Sequence, residues 1–337
     1  MPERPRFDLP AMTRDAIILT ALREAGNDAV SGAEIAHRLG ISRAAVWAHI
    51  QDLRALGYDI AASPHLGYRL LGTPDLLHGD DLLSRLGQCR SIGRDIRVFR
   101  ETTSTSDVVE KLARDGVAEG VVVFAEAQTR GRGRLGRRWV SPAGKGLWFS
   151  VLLRPQLRPQ QMTQLTVAAA TAVARAVRAQ TGLKPEVKWP NDLLLGGRKF
   201  GGILTELSGE QDRVRHAVLG VGLDVNVTAS DFPPDLRRGA TSLRIELGRP
   251  VPRAELAVAV LRELEADYAR LAAGQFEQVA DEWEALCTTL GRDLEVSVGG
   301  RRLRGRAEAL DQDGSLLLRT DYGRLERVTG GDVTLRP

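Results

Sequence analysis

The sequence predicts an α+β chain of three domains: a winged helix-turn-helix, a central α/β domain around a mixed sheet, and a small C-terminal β-barrel. Three observations predict it. Two short amphipathic stretches meet at Gly40 and lead into a pair of β-prone runs. From residue 81 to 290 strand and helix patterns alternate. After Gly291 the pattern shortens to alternating strands with turns at GGR, DQDG and DYG.

Composition sets the outer limits. With 337 residues, 43% of them hydrophobic, the chain can bury a sizeable core. It contains no run of 18 apolar residues, so no membrane span is expected. Residues 1–12 lack an apolar core segment and read as a flexible tail, not a secretory signal. Cys89 and Cys287 are the only cysteines and stand far apart. That excludes a disulfide framework or a cysteine zinc site and fits a cytoplasmic protein. The five histidines form no HxxxH cluster.

Residues 13–71 read as the winged helix-turn-helix. Thr13 caps a first helix over 13–25. Ser31 and Glu34 have capping-box spacing, and Gly40 ends the second helix. Ser42 caps the third, whose Val46, Ile50, Leu53 and Leu56 form one stripe. "YDIAASPHLGYRLL" then reads as a hairpin, the wing. Residues 72–80 read as a linker, and 81–290 as the central domain. Its expected strands are DIRVFRE, GVVVFAE, GLWFSVLL, EVKW, FGGILTEL and RHAVLGVGLDVNV. Its helices are expected at 108–114, at about 160–180, where small and apolar residues cover most faces, and at about 253–273 and 275–289. Residues 291–337 form the barrel.

The net charge of +4 is unevenly placed: between Glu126 and Glu186 there is no acid and there are eleven Lys or Arg. Five arginines and three glycines of that span fall in "QTRGRGRLGRRW", residues 128–139. Gly131, Gly133 and Gly136 match the dinucleotide pattern G-x-G-x-x-G, but no helix pattern opens there and no acid follows within about 20 residues. No GK[ST] closes a P-loop. Three readings remain: a single-strand nucleic-acid arm, a solvated basic loop, and a mobile loop folding over an anionic small molecule. "KWPND", residues 188–192, favours the last, since it puts a lysine at a strand end before a turn. Lys199 precedes another strand. Two such lysines and the arginine loop would converge on one cationic pocket. No nucleophile stands out, which suits phosphate chemistry by positioning and charge stabilisation.

In this order, TTSTSD, AEAQTRGRGRLGRRW, VKWPNDLLL, RKFGGILTEL and GVGLDVNV resemble bacterial biotin protein ligases. The N-terminal helix-turn-helix resembles the bifunctional kind, which also represses biotin operons. Lipoate ligases share the fold but lack this loop. The resemblance implies a class II synthetase-like central domain and an SH3-like barrel. It implies synthesis of biotinyl-5′-AMP from biotin and MgATP, then transfer of biotin to a lysine of a carboxylase's apo biotin carboxyl carrier protein. It places Ser104, Thr105, Ser106 and Gln128 at biotin. Arg132, Gly133 and Arg134 would close over the adenylate, and Lys188 would lie against the carboxylate and α-phosphate. Lys188 and Arg134 are thereby the catalytic candidates. Asn191, Asp192 and Lys199 would serve the nucleotide side, with magnesium near Asp192 and no metal ligand set assigned. Two positions depart from the family: Ser106 where Asn is frequent, and Asp224 where G-x-G-x-N-x-N has its first Asn. Asp224 is therefore not counted as a site residue.

Residues 1–71 hold eight arginines and eight acids, a neutral balance for a DNA-binding domain. Ser42, Arg43, Trp47 and His49 on the third helix, with His65 and Arg69 on the wing, are the candidate contacts to biotin operator DNA. The expected assembly is a homodimer promoted by adenylate. The competing reading is a transcription factor that senses biotin or its adenylate without catalysis.

Overall fold

A computed structural model describes residues 13–87, 89, 91–210, 213–298 and 300–335. The expected tail, 1–12, lies outside the described residues. At the N-terminus α1 (Arg14–Glu24), α2 (Gly32–Leu39) and α3 (Arg43–Ala55) precede a hairpin of β1 (Asp59–Ser63) and β2 (Gly67–Gly72). The three expected caps are in place: Thr13, Ser31 and Ser42 accept from the backbone N–H of Ala16, Glu34 and Ala45 at 3.1, 3.1 and 3.2 Å. Gly40 takes φ 63°, the left-handed conformation that ends α2. Ile18, Leu22, Ile35, Val46, Ile50 and Leu53 close a core of their own.

The chain continues through α4 (Gly79–Leu86), β3 (Asp95–Thr102), α5 (Thr105–Arg114), β4 (Val121–Gln128), β5 (Leu147–Leu153) and α6 (Thr163–Thr181). Then come β6 (Glu186–Lys188), β7 (Asp192–Leu195), β8 (Arg198–Gly209), β9 (Val214–Leu223), α7 (Leu243–Leu247), α8 (Arg253–Ala272) and α9 (Phe276–Leu286). The sheet is mixed, as expected, with order β3-β4-β5-β9-β8-β7-β6 and only β3 and β4 parallel. Three elements escape the sequence reading. The β7–β8 hairpin turns at Gly196 and Gly197, a Gly-Gly signal that was available. Helix α4 sits inside a Gly- and Asp-rich stretch, and α7 is barely more than one turn.

Side chains alternate across a strand, and here the alternation divides two jobs. Leu147, Phe149, Val151, Leu219, Val221, Leu223, Ile203 and Leu193 face the main core, which α6 and α8 cover. The residues between them, Ser150, Gly220, Gly222 and Gly202, face the side covered by α5.

A C-terminal sheet of β10 (Asp293–Val298), β11 (Arg301–Leu310), β12 (Leu316–Thr320), β13 (Leu325–Val328) and β14 (Asp332–Leu335) is antiparallel throughout, in the order β13-β12-β11-β10-β14. Its Leu294, Val296, Ala307, Leu316, Leu318 and Val328 merge with the main core. Gln164 donates to the Gln312 carbonyl and Leu310 N–H to Glu284, both at 2.8 Å, across the same seam. The winged helix is joined differently, by polar contacts: Arg23 of α1 pairs with Asp81 of α4, which also accepts from Arg85 at 2.8 Å. No helix among the described residues is long and apolar enough to cross a membrane.

Arg253, 1% exposed, opens α8 and uses all five guanidinium hydrogens. It donates to the Asp75 carboxylate (3.2 Å) and carbonyl (2.8 Å), to both Glu126 oxygens (2.5 and 3.3 Å), and to the Gly146 carbonyl (3.4 Å). Glu126 also accepts from Leu77 N–H at 2.8 Å. A buried pair broken from one side leaves an uncompensated charge. Arg253→Met is therefore expected to cost about 3–5 kcal/mol. The check is the urea midpoint of the central-domain transition; an unshifted midpoint would show the cluster to be dispensable.

Candidate functional site

The glycines on the α5 side of the sheet leave a trough without side chains. A Cβ added at Gly222 would come within 2.8 Å of the Trp139 ring, at Gly202 within 3.2 Å of it, and at Gly220 within 3.2 Å of Ser106 Oγ. Above this floor is a cavity of about 450 Å³, ample for a drug-sized ligand. All eleven expected ligand-site residues line it: Ser104, Thr105, Ser106, Gln128, Arg132, Gly133, Arg134, Lys188, Asn191, Asp192 and Lys199.

Buried hydroxyls form one wall, at the junction of β3 and α5. Thr105 Oγ1 lies 2.8 Å and Ser106 Oγ 3.1 Å from Ser150 Oγ. Gln128 accepts from Thr105 N–H at 2.9 Å and donates to Ser141 at 2.9 Å. Each of these groups can rotate a donor or acceptor toward a polar ligand at little rearrangement.

Cations form the opposite wall. Lys199 Nζ pairs with Asp192 at 2.5 Å and stands 5.4 Å from the Trp139 ring centroid. Asn191 donates to the Ile203 carbonyl at 2.8 Å and accepts from Arg134 at 3.3 Å. Lys188 Nζ, by contrast, has no hydrogen-bond or ion-pair partner among the described residues. Its side chain lines the cavity as an uncompensated charge.

The arginine-glycine loop is the roof. It is an internally bonded turn: Gly133 N–H donates to the Arg137 carbonyl at 2.7 Å and Trp139 N–H to the Gly131 carbonyl at 2.8 Å. Its exposed tip, Leu135, has φ 56°. Arg132 is engaged by two carboxylates, Asp107 of α5 and Glu206 of β8, the second at 3.2 Å. Arg134 reaches inward, and a Cβ at Gly330 would lie 3.1 Å from its Nη2, so the C-terminal sheet borders the roof.

Sequence reasoning missed three contributors. Trp139 lies on the glycine floor, edge-to-face with buried Trp148 at 6.4 Å. Its place at the end of the basic run gave it away only as part of a motif. Ser150 reads in sequence as one polar residue in an apolar strand, which was a usable signal. Asp224, left out of the site, lines the cavity. Burial pushes its carboxyl well above the usual carboxylate range, with Lys199 pulling the other way. No cluster of three or more His, Cys, Asp or Glu suited to a metal stands among the described residues.

The expected DNA-contacting residues lie apart, on the winged helix. Ser42, Arg43, Trp47, His65 and Arg69 are exposed and His49 is half-buried. Ser42 is occupied as the α3 cap, His49 Nδ1 lies 2.7 Å from Asp15 of α1, and Arg69 donates to the Asn27 carbonyl at 3.3 Å.

Residues 98–224 match the Biotin/lipoate A/B protein ligase family, 14–69 an HTH domain, and 289–336 the Biotin protein ligase C terminal domain. Fold and pocket thus define a protein ligase of the biotin/lipoate class carrying a helix-turn-helix domain. The chain is 35% identical over 318 residues to the bifunctional ligase/repressor BirA of Bacillus subtilis, covering 94% of this chain and 97% of that protein. Identity to BirA of Escherichia coli is 33%, covering 91% and 92%. The solved biotin protein ligase of Aquifex aeolicus in complex with biotin and ATP superimposes with a TM-score of 0.61 at 28% identity, covering 72% of this chain and 98% of that one. The chain belongs to the bifunctional ligase/repressor family of biotin protein ligases.

The buried Asp224 carboxyl gives a pH test. The folded state holds its proton more tightly than the unfolded chain, whose carboxyl titrates near 3.8. Its contribution to stability is therefore greatest at low pH and is lost as pH rises from there through the raised folded value. Asp224→Asn removes that loss, so it is expected to raise the melting temperature more at about pH 8 than at about pH 4.5. An equal gain at both would mean that Asp224 folds ionised.

Proposed function

We propose that this pocket joins biotin to the α-phosphate of MgATP and passes the biotinyl group to a carrier-domain lysine. In the first step a carboxylate oxygen of biotin attacks the α-phosphorus and pyrophosphate leaves. In the second the carrier amine attacks the acyl carbon, loses its proton and expels AMP. The observation that carries the residue assignment is Lys188, a cavity-lining ammonium with no protein partner among the described residues. Two anions must approach each other in the first step, and a fixed cation between them offsets their repulsion and the charge developing on phosphorus.

The hydroxyl wall of Ser104, Thr105 and Ser106, with Gln128, suits the polar ring of biotin. Asn191, Asp192 and Lys199 suit the nucleotide. Magnesium arrives with ATP, and one carboxylate such as Asp192 is enough to meet an ion already held by phosphates. Arg134, directed inward from the roof, would retain the adenylate and keep water from the mixed anhydride. Arg132 has a supporting place in this reading, because Asp107 and Glu206 already use its charge to hold the roof down. The acceptor is the apo carrier protein of a biotin-dependent carboxylase, and the winged helix binds operator DNA. Two isolated free cysteines suit a cytoplasmic setting. A homodimer formed when adenylate orders the roof would place two winged helices on two half-sites, each head raising the effective concentration of the other.

A biotin sensor without catalysis is separated from this reading by one assay: biotin, MgATP and apo carrier domain, followed by a streptavidin blot. Lys188→Ala is expected to abolish pyrophosphate release with an unchanged melting temperature; wild-type turnover would remove Lys188 from the chemistry. Arg134→Gly is expected to make adenylate but lose it faster and to label bystander lysines. Unchanged adenylate dissociation would overturn the roof's role. In sedimentation and gel-shift titrations, biotin with MgATP is expected to raise both dimer fraction and operator affinity, and linkage requires DNA to tighten adenylate binding in return. Equal affinity and size in both conditions would sink the dimer while leaving the ligase.

A further inference from the structure

The winged helix is short of free cations. Its described arginines are Arg14, Arg23, Arg38, Arg43, Arg54 and Arg69, and it has no lysine. Arg23 is held by Asp81, Arg38 by Glu24 and Glu34, Arg54 by the Ile60 carbonyl and Arg69 by the Asn27 carbonyl. Arg14 and Arg43 have no partner among the described residues, and the exposed Arg69 keeps its charge beside a neutral carbonyl, so few cations are left for phosphates. A domain with so few phosphate contacts draws a larger share of its operator affinity from the base edges.

The outward face of α3 shows what it has to offer them. Ala44, Trp47 and Ala48 are exposed and share that face at helical spacing, with Arg43 at its N-terminal end. Trp47 is 57% exposed, whereas Trp148, Trp189 and Trp283 are fully buried. Its one donor is occupied: Gln51 Oε1, with the amide turned to satisfy its neighbours, accepts from Trp47 Nε1 at 3.3 Å and from Arg54 at 3.0 Å. The indole therefore presents an apolar plate and no hydrogen bond. His49, the other aromatic of α3, is turned inward to Asp15. In the major groove the apolar group on a base edge is the C5 methyl of thymine.

We propose that Trp47, flanked by Ala44 and Ala48, determines the DNA specificity of this protein by packing on thymine methyl groups in the major groove, with Arg43 anchoring the helix on a neighbouring guanine or phosphate. The proposal rests on the repressor reading above and adds to it the chemistry that is read. It commits the operator half-site to thymines under the N-terminal half of α3. It also makes binding depend weakly on salt, because few counterions are released.

The test uses the full chain with biotin and MgATP. Duplexes are selected from a randomised library, and each thymine of the selected half-site is replaced in turn by uracil, which removes only the methyl. Burying one methyl is worth about fourfold in affinity, so the symmetric replacement in both half-sites is expected to weaken binding about 15-fold at the contacted position. Trp47→Ala is expected to bind the thymine and uracil duplexes equally, with carrier biotinylation and melting temperature unchanged. Acrylamide quenching of the exposed indole is expected to fall when the thymine duplex is added. Uracil duplexes bound as tightly as thymine duplexes, or a methyl preference that survives Trp47→Ala, would overturn the proposal and leave the repressor standing. Enrichment of no duplex at all would overturn both.

Discussion

The buried guanidinium of Arg253 is the constraint on which the rest of the arrangement depends. Its five donors tie three segments that are remote in sequence: the linker at Asp75, the end of β4 at Glu126, and the start of β5 at Gly146. Glu126 and Gly146 flank the arginine-glycine loop, so one side chain fixes both feet of the roof. The same cluster holds the segment that leads to the winged helix. A buried pair of this kind adds little net stability, since desolvation consumes most of the attraction. What it supplies is a fixed geometry, because any other arrangement strands a charge.

Between those feet the roof is held by weaker means. Arg132 pairs with Asp107 and Glu206 where all three side chains are well exposed to solvent, so each contact contributes at most about 1 kcal/mol. Firm feet and a loosely latched span suit a lid that must admit a substrate and then close. The charges beneath are graded in the same way. Lys199 is neutralised by Asp192, Arg134 is held by the uncharged Asn191, and Lys188 has no partner among the described residues. Arg138 of the roof also lines the cavity without a side-chain partner among the described residues, so the pocket keeps an excess of positive charge for an anion.

Core continuity separates what moves together from what need not. The C-terminal sheet shares the main hydrophobic core and borders the roof at Gly330, so it belongs mechanically to the pocket. The winged helix closes its own core and meets the remainder through α1, α4 and the linker. Chemistry and DNA reading are therefore built as separate units, and communication between them passes through the packing of α1 on α4, the linker segment that Arg253 holds at Asp75, or a second copy of the chain.

The sequence by itself determined the three-part architecture, the helix caps of the winged helix, and eleven of the residues that line the pocket. These are local or motif-borne properties: Thr13, Ser31 and Ser42 cap helices through bonds three residues long, and the arginine run and KWPND carry their chemistry in their order. Tertiary structure alone decided which of these charges are free. Arg132 and Lys188 look alike in sequence, yet one pairs with two carboxylates from other elements and the other has no such partner among the described residues. Only pairing across β5, β9 and β8 could reveal that Ser150, Gly220, Gly222 and Gly202 form one floor, and that Trp139 rests on it. The same holds for Asp224, whose carboxyl is perturbed by burial at the end of β9, and for His49, which belongs on the DNA face by spacing but is drawn inward by Asp15. In each case the deciding partner lies many residues away, and a one-dimensional pattern has no record of that distance.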